Sequence, residues 1–249
     1  MRLKAYYDGS GNKKNKSERV LTLSGFAAPE EVWKRFESEW QDALDSNGTG
    51  SFHMAEAMSL NGAYKRSSGW NEARVHSLVK GLFTVIGKFR SEEFQASSCS
   101  IVLDDYRKAK QTISKLRPPE AICVNFCIDK LWIPANANEI PGEPPIDLLF
   151  DQNEPFLNTI NKIWVSVKNK PQTIGWPKQI RLIKTENATT CSRLQPADMF
   201  AWLVHRYHTG RNNHPWFPAS SWFQVLPILA EHYSAIYDYE KILSEYPNG

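Results

Sequence analysis

The 249-residue chain has little of what staples, anchors or marks a protein from outside its core. It carries four cysteines, Cys99, Cys123, Cys127 and Cys191, with no CxxC pair and no framework spacing. That excludes a disulfide scaffold and a cysteine-bound zinc, and it points to a reducing compartment. No window approaches the roughly 18 uninterrupted apolar residues a membrane helix needs. The opening MRLKAYYDGSG has no apolar stretch of signal-peptide length, so a cytoplasmic protein with no membrane partner is expected. Glycine fingerprints for nucleotide phosphates are absent, both the P-loop and G-x-G-x-x-G. Ser10 sits in a GSG triplet, but the G-x-S-x-G elbow is missing, and no histidine neighbours Cys191 in the sequence, so nucleophile chemistry finds no footing. Charge of one sign is scarce as well. Thirty Lys and Arg stand against 27 Asp and Glu, a net charge of +3 with pI near 8.6, which permits an anionic partner without demanding one.

What is present suits a packed α/β domain. Hydrophobic residues make up 41% of the chain, enough for one large core, and one domain over 1–249 is expected. Leu3 to Tyr7 and Val20 to Phe26 read as antiparallel strands joined by the polar GSGNKKNKSE. Lys13, Lys14, Lys16 and Arg19 crowd that connection; the reading is a basic loop able to hold phosphates, against the plainer one of a solvated hairpin turn. Helical spacing of Val32, Trp33, Phe36 and Trp40 follows Pro29, and Val75 to Ile86 repeats it within a helix over Asn71 to Phe89. Between them SFHMAEAMSLNGAYKRSSGW reads as a long loop with a turn or two of helix. Phe94 to Leu103 reads as a strand, and the stretch from Tyr106 as a helix broken at Pro118-Pro119. Glu120 to Trp132 reads as a helix whose cysteines are inert and buried. The run Ile146 to Phe150 has the continuous apolar character of a central strand, and Glu154-Pro155 opens the next helix. Ile180 to Ile183 reads as a strand and Gln195 to His208 as a helix. Ser220 to Tyr246 reads as a long terminal helical stretch disturbed at Pro227. Strands before and between helices make the class α/β.

Three acids stand apart. Asp8 follows the first strand and precedes Gly-Ser-Gly; Asp151 ends the most apolar strand; Asp198 falls in the first turn of the helix opened by Pro196, with Ser192 and Gln195 as a capping pair. Ligands of open α/β sheets collect outside strand ends. Three converging carboxylates would repel one another unless a hard cation joined them, and all-oxygen ligation suits Mg2+ or Mn2+. Taken singly, each acid reads equally well as a cap, a turn residue or a surface charge. His53 and Glu56, three apart in FHMAE, meet on one face of a helical turn and would complete a metal shell or move protons; a structural histidine is the plain alternative. Asp104, Asp105 and Glu154 are further acidic candidates, the first two also reading as helix-start residues. His205 lies seven residues after Asp198, on nearly the same face.

With these pieces in place the chain resembles a known family, the domain of unknown function 3800 (DUF3800), which is similar to ribonuclease-H-like proteins. The resemblance rests on AYYDGSGN, LSGFAAP, FHMAE, LLFDQNE and SRLQPADMFAW, in that order over nearly the whole chain. The family commonly reads Asp-Glu-Ser-Gly near its start; here Gly9 replaces the glutamate, while Asp8, Ser10 and Gly11 match. The resemblance implies a ribonuclease-H-like mixed sheet flanked by helices, with extra C-terminal helices. It also implies an acidic centre of Asp8, Asp151 and Asp198, with His53 and Glu56 nearby. The expected activity is that of a metal-dependent nuclease or phosphodiesterase acting on nucleic acid. Asp8, Asp151 and Asp198 would be its metal ligands, His53 and Glu56 its helpers, and Ser10, Lys13, Lys14 and Lys16 its contacts to substrate. The alternative is a catalytically silent module of the same fold that grips nucleic acid or protein through aromatics near Trp176, Trp216, Phe217 and Trp222.

Overall fold

The computed structural model describes residues 2–11, 15, 17–89, 94–131, 145–152, 156–169, 180–210, 213–214, 217–218 and 231–247. The chain opens with strands β1 (Leu3–Ser10) and β2 (Val20–Pro29), followed by helices α1 (Glu30–Ser46), α2 (Met54–Ser59) and α3 (Glu72–Lys88). Strand β3 (Gln95–Val102) leads into α4 (Leu103–Thr112) and α5 (Pro119–Asp129). Then β4 (Ile146–Asp151), α6 (Leu157–Asn169), β5 (Ile180–Glu186) and α7 (Gln195–His208) follow. Short strands β6 (Asn213–His214) and β7 (Phe217–Pro218) pair with each other, and β8 (Glu231–Tyr237) and α8 (Tyr239–Glu245) come last.

Six strands form one mixed sheet in the order β5-β4-β1-β2-β3-β8. The β1–β2 and β2–β3 pairs are antiparallel, whereas β1–β4, β4–β5 and β3–β8 are parallel. The expected α/β class with a mixed sheet flanked by helices is therefore present. Because side chains alternate across a strand, the sheet feeds two cores. On one face Tyr6, Phe26, Ala96 and Leu149 pack with α1, α3 and α7. On the other, Tyr7, Leu23, Cys99 and Phe150 pack with α4, α5, α6 and α8. The central strands are covered on both sides, which explains why nine of the ten residues of β2 are buried.

The first core is aromatic. Trp33, Phe36, Trp40 and Leu44, spaced three and four apart, form the buried stripe of α1. Phe94 takes them up, with ring centroids 4.7 Å from Trp33 and 4.9 Å from Phe36. Each indole also meets a polar need: Trp33 Nε1 donates to Lys4 O at 2.9 Å and Trp40 Nε1 to Gln195 Oε1 at 2.9 Å. Truncating one such buried aromatic to alanine costs about 3–5 kcal/mol. Trp33, Trp40 and Trp70 are thus core residues. At the far end of β4, buried Asp147 ties two elements together, accepting from Arg2 and from Arg181 Nε at 2.9 Å.

Several expectations change. The terminal stretch is not one helix: among its described residues, Glu231–Tyr237 is strand β8, beside β3, and helix α8 follows it. Asp8 does not lie beyond its strand but inside it, paired with Ser24, because β1 runs on to Ser10. Ser192 and Gln195 do not form a capping pair. No side-chain cap bond closes the start of α7; Ser192 Oγ donates to Glu37 at 2.8 Å instead. Lys13, Lys14, Lys16, Glu154-Pro155, Trp176, Trp216 and Trp222 lie outside the described residues. All four cysteines are buried and reduced. Burial pushes the Cys191 thiol up to about 12, with the Glu186 carboxylate adding to the effect, and a thiol that keeps its proton is a poor nucleophile.

Candidate functional site

The register of the sheet does the first part of the assembly. Parallel pairing of β1 with β4 runs from Leu3 beside Ile146 to Tyr7 beside Phe150, so the next step sets Asp8 next to Asp151. Neighbouring strands lie about 4.8 Å apart. By alternation both aspartates take the face of Tyr6 and Leu149, the face that α7 crosses. Gly11, at φ +91°, then turns the chain out of β1; a Cβ there would come 2.4 Å from Val20 O.

Helix α7 brings the third acid. Pro196 stands in its first turn, where a missing N–H costs nothing, and Met199, Phe200, Leu203 and Val204 bury one side in the aromatic core. That places Asp198 over the strand ends. Its Oδ2 accepts from Met54 N at 2.6 Å, and its Oδ1 lies 3.8 Å from His53 Nε2. His53 in turn caps α2, accepting from Glu56 N through Nδ1 at 3.4 Å, while its ring remains 52% exposed. Asp8, Ser10, His53, Asp151 and Asp198 together line one cavity of about 260 Å³, walled on the apolar side by Phe52 and Trp202.

The electrostatics of this cavity are unfavourable to the protein alone. Burial raises the Asp198 carboxyl above the usual carboxylate range, and the charges of Asp151 and Glu56 push the same way, opposed by His53 and the Met54 N–H. Oδ1 of Asp151 is buried and accepts no hydrogen bond. A buried acceptor left without a donor costs about 1–3 kcal/mol. Among the described residues no group of three or more His, Cys, Asp or Glu side chains is placed so that it could hold a metal ion by itself. An open arrangement remains: carboxylates facing one cavity with an unspent oxygen. Oxygen acceptors of this kind are the chemistry that a hard divalent ion keeping several waters prefers.

Other candidates sit elsewhere. Glu56 is exposed, and its carboxylate turns back over Gly62, where an added Cβ would fall 1.9 Å from Oε2; its charge reaches Asp198, but it does not line the cavity. His205 is buried and bonds Glu18 Oε1 at 3.2 Å, closing the base of the first hairpin. Asp104 and Asp105 start α4 and pair with Arg107 at 2.5 Å and Lys108 at 3.5 Å. Sequence reasoning missed Gln195 as a structural element of the site. Its buried amide accepts from Trp40 Nε1 and from Phe52 N at 3.1 Å and donates to Ala188 O at 3.3 Å, tying two cavity-lining residues, Phe52 and Ala188, to the aromatic core. Its signal was its place three residues before Asp198, on the same helical face.

No family model matches the chain, and no curated protein matches it. Among solved structures the chain is similar to one in the "Structure of the PCNA:RNase HII complex from Archaeoglobus fulgidus", at 11% identity and a TM-score of 0.39, over 91% of this chain and 87% of that one. With likeness that distant, function has to be read from the cavity's own residues. Among the described residues no helix is long and apolar enough to cross a membrane.

Proposed function

We propose that the protein is a metal-dependent phosphodiesterase acting on nucleic acid, a single-domain cytoplasmic member of the DUF3800 family. The observation that carries this reading is the shared cavity of Asp8, Asp151 and Asp198, in which one Asp151 oxygen is buried without a donor. Mg2+ or Mn2+ held by these carboxylates would supply an activated water and charge stabilisation for the departing oxygen. The chain's own groups do the rest. Asp8 and Asp151, fixed by adjacent strands, set the anionic floor. His53, exposed and 3.8 Å from Asp198, is positioned to hand a proton to the leaving oxygen. Ser10 offers a hydroxyl at the cavity wall, and Phe52 and Trp202 offer apolar surface to a base or sugar. The tryptophans on which a catalytically silent module would rest, Trp176, Trp216 and Trp222, lie outside the described residues.

The test is hydrolysis of mixed RNA and DNA substrates with Mn2+ or Mg2+. Cleavage is expected to need the divalent ion and to fall at least about 100-fold in Asp8→Asn, the scale on which removing a transition-state charge contact acts. Equal cleavage by wild type and Asp8→Asn removes the mechanism.

A further inference from the structure

On the sheet face opposite the carboxylates, α4 and the turn after it carry a concentration of positive charge. Between Leu103 and Pro119 stand Arg107, Lys108, Lys110, Lys115 and Arg117 against Asp104 and Asp105. That surplus equals the net charge of the whole chain, +3. Arg107 and Lys108 are taken up by Asp104 and Asp105, and the field of Arg117 reaches Asp129. Lys110 and Lys115 are exposed, and neither has an acid partner among the described residues.

Lys110 borders a cavity of about 330 Å³ with an apolar floor, and Lys115 precedes Leu116, which also lines it. Leu103, Tyr106, Arg107 and Lys110 recur at helical spacing along one side of α4, and Leu116, Pro118 and Pro119 close the other. The slot is held open by its own framework: Tyr106 Oη donates to Arg117 O at 3.0 Å, and Ile113 N and Leu116 N are bonded within the turn. Exposed Pro118 and the little-exposed faces of Tyr106 and Pro119 supply the apolar lining, while Arg107 and Lys110 supply charge at the rim.

We infer that this slot is a second nucleic-acid contact, taking an unpaired base against Tyr106, Pro118 and Pro119 while Lys110 and Lys115 hold the flanking phosphates. A base has the flat apolar face that the slot fits, and its phosphodiesters lie at the periphery, where the lysines stand. An acidic peptide has the charge without the planar body. The inference rests on the proposed activity for its biological sense, and the topology connects the two sites. Leu103 N donates to Arg19 O at 2.8 Å, and the sheet register runs from Ser10 through Thr22 to Ser100. The slot and the carboxylate cavity therefore flank one sheet edge from opposite faces, with about 10 Å of sheet between β1 and β3. A single strand seated in the slot reaches the cavity by passing round that edge.

The experiment measures anisotropy of a labelled single-stranded oligonucleotide with the full chain in chelator, where no cleavage occurs. Lys110→Glu with Lys115→Glu is expected to weaken binding at least tenfold. It should also lower the slope of log affinity against log salt by about 1.4, the release expected for two phosphate contacts on a single strand. Lys110→Arg with Lys115→Arg should bind as wild type does. Inorganic polyphosphate of matched charge is expected to compete at least tenfold less well than unlabelled oligonucleotide. Unchanged binding by the glutamate pair, or equal competition by polyphosphate, overturns the inference. Mn2+-dependent hydrolysis of bis(p-nitrophenyl) phosphate by the same variant separates the two readings. If wild type and variant hydrolyse it equally, the catalytic reading stands, and the oligonucleotide result decides the slot. If neither hydrolyses it, the catalytic reading falls, and the binding result is judged alone.

Discussion

Asp198 meets two opposing demands with one carboxylate. One oxygen anchors Met54 N–H, and the whole group lies only 14% exposed beside the charges of Asp151 and Glu56. Its folded pKa stands above the unfolded value of about 3.9, so the native state binds that proton more tightly than the unfolded chain does. Stability from this residue is greatest at low pH and declines as pH rises from about 4 through the folded pKa. Asp198→Asn keeps an oxygen for Met54 and removes the charge. In chelator, urea unfolding at several pH values is expected to show the variant gaining on wild type as pH rises across that window. A difference independent of pH refutes it. Asp147 acts with the opposite sign. Its two guanidinium partners hold its carboxyl below the usual range despite burial, so its contribution is present above about pH 4 and is lost on acidification.

Helices α2 and α7 meet through backbone donors and side-chain acceptors. Gln195 and Asp198, one helical turn apart, receive the N–H groups of Phe52 and Met54. This orients the His53 ring over the cavity before any ligand arrives. Gln195→Leu would leave the Phe52 N–H, the Trp40 indole and the Ala188 carbonyl without their partner. A loss of about 3 kcal/mol is expected, with faster hydrogen exchange at the Phe52 amide than at the core amides of α3; unchanged protection at Phe52 contradicts this docking role. The helix itself was readable, because Pro196 and the periodic apolar residues mark Gln195 to His208 without ambiguity. Strand β8 was not. Tyr233, Ala235 and Tyr237 are more buried than Ser234 and Ile236, a two-residue period. In the sequence, that period competes with the good helix formers that follow, and its partner β3 is well over 100 residues away.

At the scale of the molecule, what was legible is what local pattern encodes: the apolar strand ending in Asp151, a proline-started helix, and an α/β order of elements. What was not legible depends on chain crossing. The rotation of Glu56 away from the cavity is set by Gly62 at φ +57°, and the gathering of positive charge on the far face is a property of the surface. The carboxylate pair Asp8 and Asp151 joins the first strand to one more than 140 residues later, so an ion bound there should resist global unfolding. Mn2+ at one hundred times its Kd is expected to raise stability by about 2.7 kcal/mol, read as a higher thermal midpoint, and the rise should vanish in Asp151→Asn. A midpoint that ignores Mn2+ in wild type contradicts the metal site.

Since Asp8 and Asp151 project from adjacent strands, their separation can change only in jumps. Sliding β4 by one residue would turn its side chain to the opposite core, and sliding it by two would carry it about 6.6 Å along the strand. Gradual adaptation to a larger or smaller ion has no route through the strands. That freedom belongs to α7, whose packing can shift by fractions of an ångström, so natural or designed retuning of ion preference should accumulate in the residues that seat this helix and leave the two strand aspartates untouched.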